Sequence, residues 1–328
     1  MEGATGIDVS MLKGKKLLNM DSEEEGVMLA SCAGGCRADV KLPVERETVS
    51  GTKLTVSLSG LTGGHSGSEI DKGRGNANTL MSRLLRDASA PVAIASIEGG
   101  RKDNAIPREC TAQIIVAPDE AAAVKASIEQ AAAEIAEEFK ASDPDLKLAV
   151  SEETDCSESA ISAKDSARVI ALIEALPNGI IRMSREIDKL VETSLNLGVL
   201  KSDAAAVTLR YAVRSSVGVA KKSLKNQLVC IAGAFAAEVT FEGDYPAWEY
   251  KKDSKLREDM VRIFEEMYGK KPTVEAIHAG VECGLLSGKI EGLDCISMGP
   301  DMYDIHTTEE RLSISSAKRS YEYILRVI

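Results

Sequence analysis

The sequence predicts an α/β protein in which one sheet domain is interrupted by an inserted α+β domain. Between about residues 40 and 150, apolar periodicities of strand and helix follow one another in the order β-α-β-β-α-β. That order is typical of a ferredoxin-like domain. A second, looser set of elements follows, so we expect an inserted domain of two related lobes over residues 40–243. Residues 1–39 and 244–328 are then expected to form the two segments of the interrupted domain.

Each element follows from apolar periodicity, with glycine, proline and acidic turns as breaks. In the interrupted domain, strands are expected to end near Asp21 and to span 27–33, 273–277 and 293–298, with helices over 253–268, 280–287 and 310–327. In the first lobe, strands are expected over 53–58, 91–97, 110–117 and 146–150, with helices over 76–88 and 119–140. In the second lobe, helices are expected over 163–175 and 219–237, with strands near 193–200, 205–213 and 238–242.

Composition excludes several classes of function. The 328 residues are 44% hydrophobic and 28% charged, as in an ordinary soluble protein of two domains. A formal charge of −11 argues against nucleic acid and anionic membrane as partners, because both require basic surface. No apolar run approaches the roughly 20 residues that span a bilayer. Seven scattered cysteines predict reduced thiols in the cytoplasm, and Cys32 and Cys36 are expected to be packing residues.

Two predicted strand ends carry side chains that can bind a metal or move a proton. Asp21 ends the first strand, and His306 lies in the loop that follows the strand at 293–298. Ligands usually bind beyond the carboxyl ends of strands in an open α/β sheet. Residues 307–310 are expected to cap the last helix. Each residue taken alone is also consistent with a plain role, Asp21 in a turn and His306 in capping or packing.

Residues 60–67 form a glycine-rich turn that contains His65, and the sequence GRGNAN follows at a helix start. Glycines allow backbone to approach a ligand closely, and a helix N-terminus favours anions such as a carboxylate. The turn is not a phosphate-binding loop, because no Gly-Lys-Ser/Thr follows it. The sequence therefore predicts a polar ligand near His65.

Polar side chains interrupt the apolar pattern of the second lobe and of the last segment. Asn196 lies within a predicted strand, and His278 lies at a junction between a strand and a helix. Arg210 and Arg214 have the same parity on one strand, so one of them can bind a substrate carboxylate bidentately. Two arginines on a solvated sheet face explain the same pattern equally well.

Nine ordered segments, spread over nearly the whole chain, carry a resemblance to a known family. They are LLNMDSEEEG, CAGG, LTGGHSGSEI, GRGNAN, NAIPRE, NGIIRMS, VETSLNLGVL, HAGVECGLL and MGPDMYDIHTTEERLSI. The sequence resembles the aminoacyl-histidine dipeptidases, also called cytosol non-specific dipeptidases. The resemblance implies a zinc-peptidase α/β domain interrupted by a lid and dimerisation domain. It also implies a homodimer that forms through the lid and hydrolyses unblocked dipeptides, including Xaa-His, with two Zn²⁺ ions per complete site.

The resemblance also implies roles for single residues. Asp21 matches a zinc-ligand aspartate, and His306 matches the histidine that ligates the other zinc. His65 matches a lid histidine that reaches the active site of the partner subunit and stabilises the oxyanion. The positions expected to contact the substrate are Asn196, Arg214 and His278. Two zinc ions in such a site activate a bridging water and polarise the substrate carbonyl.

One departure from the family pattern leaves three hypotheses open. The family's His-x-Asp motif, bridging aspartate and Glu-Glu pair all precede the position that Met1 matches, and Glu2 is a poor substitute for them. The resemblance therefore predicts a dipeptidase that is nearly inactive as this chain alone. The alternatives are a non-catalytic dimerisation or dipeptide-binding remnant, and a chain whose missing ligands come in trans from an upstream fragment.

Overall fold

The computed structural model describes residues 2–305 and 307–328 and has helices and strands in every predicted region. The helices are α1 (Glu2–Gly6), α2 (Ala77–Arg86), α3 (Ala121–Phe139), α4 (Ala163–Ala175), α5 (Gly218–Ala234), α6 (Lys255–Tyr268), α7 (Glu282–Lys289) and α8 (Ile314–Val327). The strands up to the second lobe are β1 (Lys16–Asn19), β2 (Val27–Cys32), β3 (Gly34–Pro43), β4 (Arg46–Ser59), β5 (Gly64–His65), β6 (Ala93–Gly99), β7 (Ala105–Ile106), β8 (Cys110–Val116) and β9 (Lys147–Ile161). The later strands are β10 (Gly179–Met183), β11 (Val191–Ser202), β12 (Ala206–Ser215), β13 (Glu238–Tyr245), β14 (Thr273–Ile277), β15 (Asp294–Ser297), β16 (Met302–Tyr303) and β17 (Arg311–Leu312).

The smaller sheet joins the two ends of the chain in the order β1-β15-β2-β14. The side chains of its strands alternate between its two faces, so that Ile296 packs with α6 and α8 while Cys295 lies in a cluster with Trp248 and Cys283. Tyr323 ties α8 to α6, because its buried hydroxyl donates to the carbonyl of Met260 at 2.7 Å. The predicted interruption of this domain is therefore present.

The larger sheet contains both predicted lobes, paired edge to edge within one chain. In the described part of the chain its order is β13-β3-β12-β11-β6-β8-β4-β9, and β10 pairs with β11. The strands β4, β6, β8 and β9, with α2 and α3, form one β-α-β-β-α-β unit. The strands β3, β11, β12 and β13, with α4 and α5, form the other. The units meet where Leu200 pairs with Gly99 and Lys201 with Glu98.

The second lobe was predicted without its first strand, β3, because the first lobe is inserted directly after that strand. The predicted domain boundary at residues 39 and 40 falls inside β3, which pairs with β12 along its whole length. We propose that the inserted domain spans residues 34–245, from the start of β3 to the end of β13. β9 is also longer than predicted. Its outer half pairs with β4 as well, but the prediction missed it because this half is polar and lies at the edge of the sheet.

The start of the last helix differs from the prediction. The cap of α8 is Ser313, whose Oγ accepts a hydrogen bond from the backbone N–H of Ser316. Residues 307–310 do not cap it, because Arg311 and Leu312 form β17 and pair with β16, which keeps the backbone extended there. Among the described residues, no helix is both long and apolar enough to cross a membrane.

Helices cover one face of the larger sheet, and polar side chains of β11 and β12 line part of the other. Leu195, Leu197, Tyr211 and Val213 lie in the main core together with residues of α2, α4 and α5. The period of a strand is two, so the alternate residues of β11 and β12 point away from that core. They include Ser194, Asn196, Arg210 and Arg214, and they form the surface on which the candidate site is built.

Candidate functional site

The site lies where the polar face of the larger sheet meets the loop after β14. His278 follows β14, and its Nε2 lies 2.7 Å from the Oγ of Ser194 on β11. Arg214 on β12 is paired directly with Ser194 in the sheet register. Both His278 and Arg214 are buried, at 5% and 9% exposure. The fold therefore brings together two of the residues predicted to contact the substrate, although 64 positions separate them in the sequence.

The structure distinguishes between the two arginines of β12. The Arg210 guanidinium donates to both carboxylate oxygens of Asp39, at 2.8 and 2.7 Å. Arg214 contacts the Tyr245 hydroxyl at 3.5 Å, and among the described residues it has no ion pair with a carboxylate. A buried cation without a counterion is costly unless a ligand supplies the negative charge. Arg214 is therefore the arginine that is available to bind a substrate carboxylate.

His65 belongs to a two-residue strand of the first lobe and approaches the same site. The strands β5 and β7 pair, so that His65 lies opposite Ala105. The next turn brings Gly67 so close to the loop after β14 that a Cβ on Gly67 would lie 2.5 Å from the His278 carbonyl oxygen. The family resemblance predicted that His65 reaches a partner subunit. In this structure it lies beside His278 of its own chain.

The turn after His65 determines which ring nitrogen carries the proton. Nδ1 accepts hydrogen bonds from the backbone N–H groups of Gly67 and Ser68, at 3.3 and 3.1 Å. In a neutral imidazole the other nitrogen, Nε2, then carries the hydrogen. The backbone N–H of His65 donates to Glu69 at 2.8 Å, and Arg74 holds that carboxylate with a 2.8 Å ion pair. His65 is thus fixed as a hydrogen-bond donor.

Burial and the charge of Arg214 keep both imidazoles of the site neutral. Desolvation is the largest cause that lowers the pKa of His278 to about 3, and the positive charge of Arg214 lowers it further. Desolvation also lowers the pKa of His65, and Arg214 adds to this effect while Glu69 opposes it. Neutral side chains leave Arg214 as the centre of positive charge, so an anionic ligand is favoured there.

Three buried polar atoms around this contact have no hydrogen-bond partner within the described chain. They are the Oγ of Ser66, the Nε of Arg214 and the Nδ1 of His278. An unsatisfied buried polar group costs about 1–3 kcal/mol. Ligand oxygens placed between them would satisfy the arginine N–H and the serine hydroxyl. The arrangement is therefore suited to bind a carboxylate.

Asn196 is close to the site, but its carboxamide is hydrogen-bonded to other residues of the same chain. Nδ2 donates to the backbone carbonyls of Asp103 and Ala105, at 3.1 and 2.9 Å, and Oδ1 accepts from Asn76 at 3.1 Å. Asn196 is 1% exposed. We propose that it positions the loop before β7 rather than contacting the substrate itself.

Sequence reasoning missed Asp143, which holds the two glycine-rich turns together. Its carboxylate is 1% exposed and accepts the backbone N–H groups of Thr62 and Gly75, both at 2.8 Å. Thr62 belongs to the turn that leads to His65, and Gly75 precedes α2. Asp143 follows a long helix and resembles an ordinary turn residue, so only the folded contacts reveal its role.

The predicted metal ligands are described only in part. Asp21 is exposed two residues after β1, and β1 pairs in parallel with β15, whose end leads to the loop of His306. His306 itself lies outside the described residues. Within residues 2–305 and 307–328, no three His, Cys, Asp or Glu side chains are placed to hold a metal ion. The described residues therefore do not form a zinc site by themselves.

Comparisons with known proteins identify relatives of this chain. The family model of the peptidase dimerisation domain matches residues 56–143, from β4 to Asp143. The cytosol non-specific dipeptidase of Escherichia coli (strain K12) is 33% identical over 320 residues, which are 96% of this chain and 66% of that protein. The crystal structure of aminoacylhistidine dipeptidase from Vibrio alginolyticus has a TM-score of 0.91 and is 32% identical, covering 99% of this chain and 67% of that one.

These relatives are longer than the chain, which spans about two thirds of their length (66% and 67%). The nearly complete coverage of this chain includes both the small sheet and the two-lobed inserted domain. The chain belongs to the family of the aminoacyl-histidine and cytosol non-specific dipeptidases.

Proposed function

We propose that this chain binds unblocked dipeptides through their C-terminal carboxylate and contributes that part of the site to a metallo-dipeptidase. The observation that carries the proposal is Arg214, a buried guanidinium that is 9% exposed and has no carboxylate partner in the described chain. A substrate carboxylate would pair with it through charge-assisted hydrogen bonds. The relatives' names, cytosol non-specific dipeptidase and aminoacylhistidine dipeptidase, support dipeptides, including Xaa-His, as the substrate class.

The other residues of the site orient the substrate around that ion pair. The 2.7 Å hydrogen bond with Ser194 holds the His278 ring in place, so the free Nδ1 is available to the dipeptide. The Nε2–H of His65 is proposed to donate to the substrate's peptide carbonyl oxygen, where negative charge develops during hydrolysis. Because His65 lies beside His278 of the same chain, we propose that it serves its own chain rather than a partner.

The metal part of the reaction is proposed from the family alone. Two divalent ions, zinc by the resemblance, would supply an activated water, with Asp21 and His306 as candidate ligands. The described residues do not form a metal site, so the hydrolytic step depends on ligands beyond those that the structure describes. A second candidate function is a dipeptide-binding module without turnover.

A homodimer and a cytoplasmic location are further parts of the proposal. The match to the peptidase dimerisation domain at residues 56–143 supports pairing through the lid. One edge of that lobe, β6, is already paired with β11 of the second lobe. A partner would therefore use another surface of the inserted domain, and binding of the carboxylate should not depend on it.

The test compares Gly-Leu with its C-terminal amide. The chain has three histidines, so their ring signals can be followed individually by NMR. We expect Gly-Leu to shift the signals of His65 and His278, and the amide, which lacks the negative charge, to leave them unchanged at the same concentration. Equal shifts from both compounds, or none from Gly-Leu, would refute the proposal. Release of free leucine after addition of Zn²⁺ to the same sample would exclude the binding module without turnover.

A further inference from the structure

Three residues lie in one row across three neighbouring strands of the larger sheet. Gly35 on β3 pairs with Arg214 on β12 at one side and with Tyr245, the last residue of β13, at the other. Paired residues of neighbouring strands project to the same face of a sheet. Because Arg214 projects away from the helices, Tyr245 projects to that face as well. The two side chains are separated only by the bare backbone of Gly35.

The absence of a side chain at Gly35 allows the Tyr245 ring to cross β3. A Cβ on Gly35 would lie 2.7 Å from the Tyr245 hydroxyl oxygen and 2.9 Å from the ring carbon Cζ. Atoms do not approach a Cβ so closely, so the ring fits there only over a glycine. The ring therefore lies across β3, and its hydroxyl oxygen comes within 3.5 Å of the Arg214 Nη1.

The end of β13 is fixed in a way that directs Tyr245 to this position. The register of β13 against β3 shifts between Glu242 and Tyr245, so that Tyr245 and not Asp244 lies opposite Gly35. Lys221 on α5 is 7% exposed, and its ammonium donates to the Tyr245 carbonyl oxygen and, at 2.6 Å, to the Asp244 carboxylate. The backbone that carries the ring is therefore tied to a helix of the core.

The contact with Tyr245 occupies one end of the Arg214 guanidinium and leaves one edge free. The hydroxyl oxygen accepts from Nη1, whereas the buried Nε has no partner in the described chain. A carboxylate can bind bidentately to the edge that Nε and Nη2 form. Tyr245 therefore does not compete with a ligand for this edge.

A phenol can orient Arg214 without cancelling its charge. Burial raises the pKa of the Tyr245 hydroxyl, although the charge of Arg214 opposes this effect, so the hydroxyl is neutral. The other cations around this row all have carboxylate partners: Arg37 pairs with Asp103 and Glu242, Arg210 with Asp39, and Lys221 and Lys225 with Asp244. Arg214 is therefore held by a neutral group, and its charge remains available to a ligand.

We propose that Tyr245 is a positioning residue which lies in the gap left by Gly35 and orients the Arg214 guanidinium, so that its Nε edge faces the dipeptide carboxylate. The inference rests on the proposed binding of that carboxylate by Arg214. Tyr245 does not touch the dipeptide, so its contribution to affinity requires Arg214.

The test is a double-mutant cycle between Y245F and R214M, in which NMR titration of the histidine signals of the full chain measures the affinity for Gly-Leu. We expect Y245F to weaken binding roughly fivefold, because the guanidinium loses one hydrogen bond that orients it. In the R214M background the same substitution should leave the affinity unchanged. G35A, which places a methyl group where the ring lies, should weaken binding by a similar factor, and G35A/Y245F no more than either substitution alone.

The matched control is Y211F. Tyr211 is on the same strand as Arg214 but in the main core, and its hydroxyl has no partner in the described chain, so Y211F should keep the affinity. An equal loss from Y245F with and without Arg214 would overturn the proposal, since a disturbed fold acts in both backgrounds. Unchanged binding by Y245F beside weakened binding by R214M would overturn it alone. Unchanged binding by R214M would refute the proposed carboxylate site as well.

Discussion

Replacement of Arg214 with methionine is expected to weaken binding of Gly-Leu by roughly 100-fold without loss of stability. Removal of one partner of a buried charge pair typically costs about 2–5 kcal/mol of binding free energy, and 1.4 kcal/mol corresponds to about tenfold in affinity. The free protein loses little, because Arg214 has only a 3.5 Å contact with Tyr245 and an unpaired Nε. Replacing an uncompensated buried charge with an apolar side chain of similar length is often neutral or stabilising.

Calorimetric titration and urea denaturation of the same variant check both halves of this expectation. The matched control is R210M, which lies on the same strand but breaks the bidentate pair with Asp39. R210M should keep the affinity for Gly-Leu and lose a modest part of its stability. Unchanged binding by R214M, or a loss of stability larger than that of R210M, would show that Arg214 is a structural residue.

Replacement of Asp143 with alanine is expected to destabilise the inserted domain by about 3–4 kcal/mol. The substitution leaves the backbone N–H groups of Thr62 and Gly75 without their 2.8 Å acceptor. Each unsatisfied buried donor costs about 1–3 kcal/mol. Because Thr62 and Gly75 flank the segment that contains His65, the affinity for dipeptides should fall as well.

Urea denaturation followed by far-UV circular dichroism measures this effect. Asp145 is two residues away and exposed, so D145A provides the control and should stay within about 0.5 kcal/mol of the unsubstituted protein. If D143A and D145A unfold at the same urea concentration, the two glycine-rich turns do not depend on the Asp143 carboxylate.

Elements whose own residues include a cap and a regular apolar face were predicted well from the sequence. α4 was predicted over its observed range, because Ser162 caps it and Val169, Leu172 and Ile173 form a buried face. β3 was missed, although Cys36, Ala38, Val40 and Leu42 alternate with other residues in the pattern of a strand. Its partners, β12 and β13, lie more than 160 positions further along the chain.

The site could be predicted as a set of residues but not as an arrangement. Motifs in the sequence indicated His65 and His278, and the family resemblance indicated Arg214. The choice between Arg210 and Arg214 depends on Asp39, which lies on a neighbouring strand that was not predicted. The position of His65 beside its own chain's His278 depends on the pairing of β6 with β11. Neither the Arg210–Asp39 ion pair nor the pairing of β6 with β11 can be predicted from the residues of one segment alone.

The central claim is that one chain brings His65, Arg214 and His278 together, and the most direct test is a pH titration of the histidine NMR signals. The measurement uses the monomeric fraction of the unsubstituted protein and of R214M. Both histidines should have pKa values below the usual value of roughly 6.5. In R214M both pKa values should rise, because the positive charge that disfavours each imidazolium is gone. His65 should remain below the usual value because it is still partly buried. A His65 pKa that is the same in both proteins would contradict the claim, since His65 would then lie too far from Arg214 to share its site.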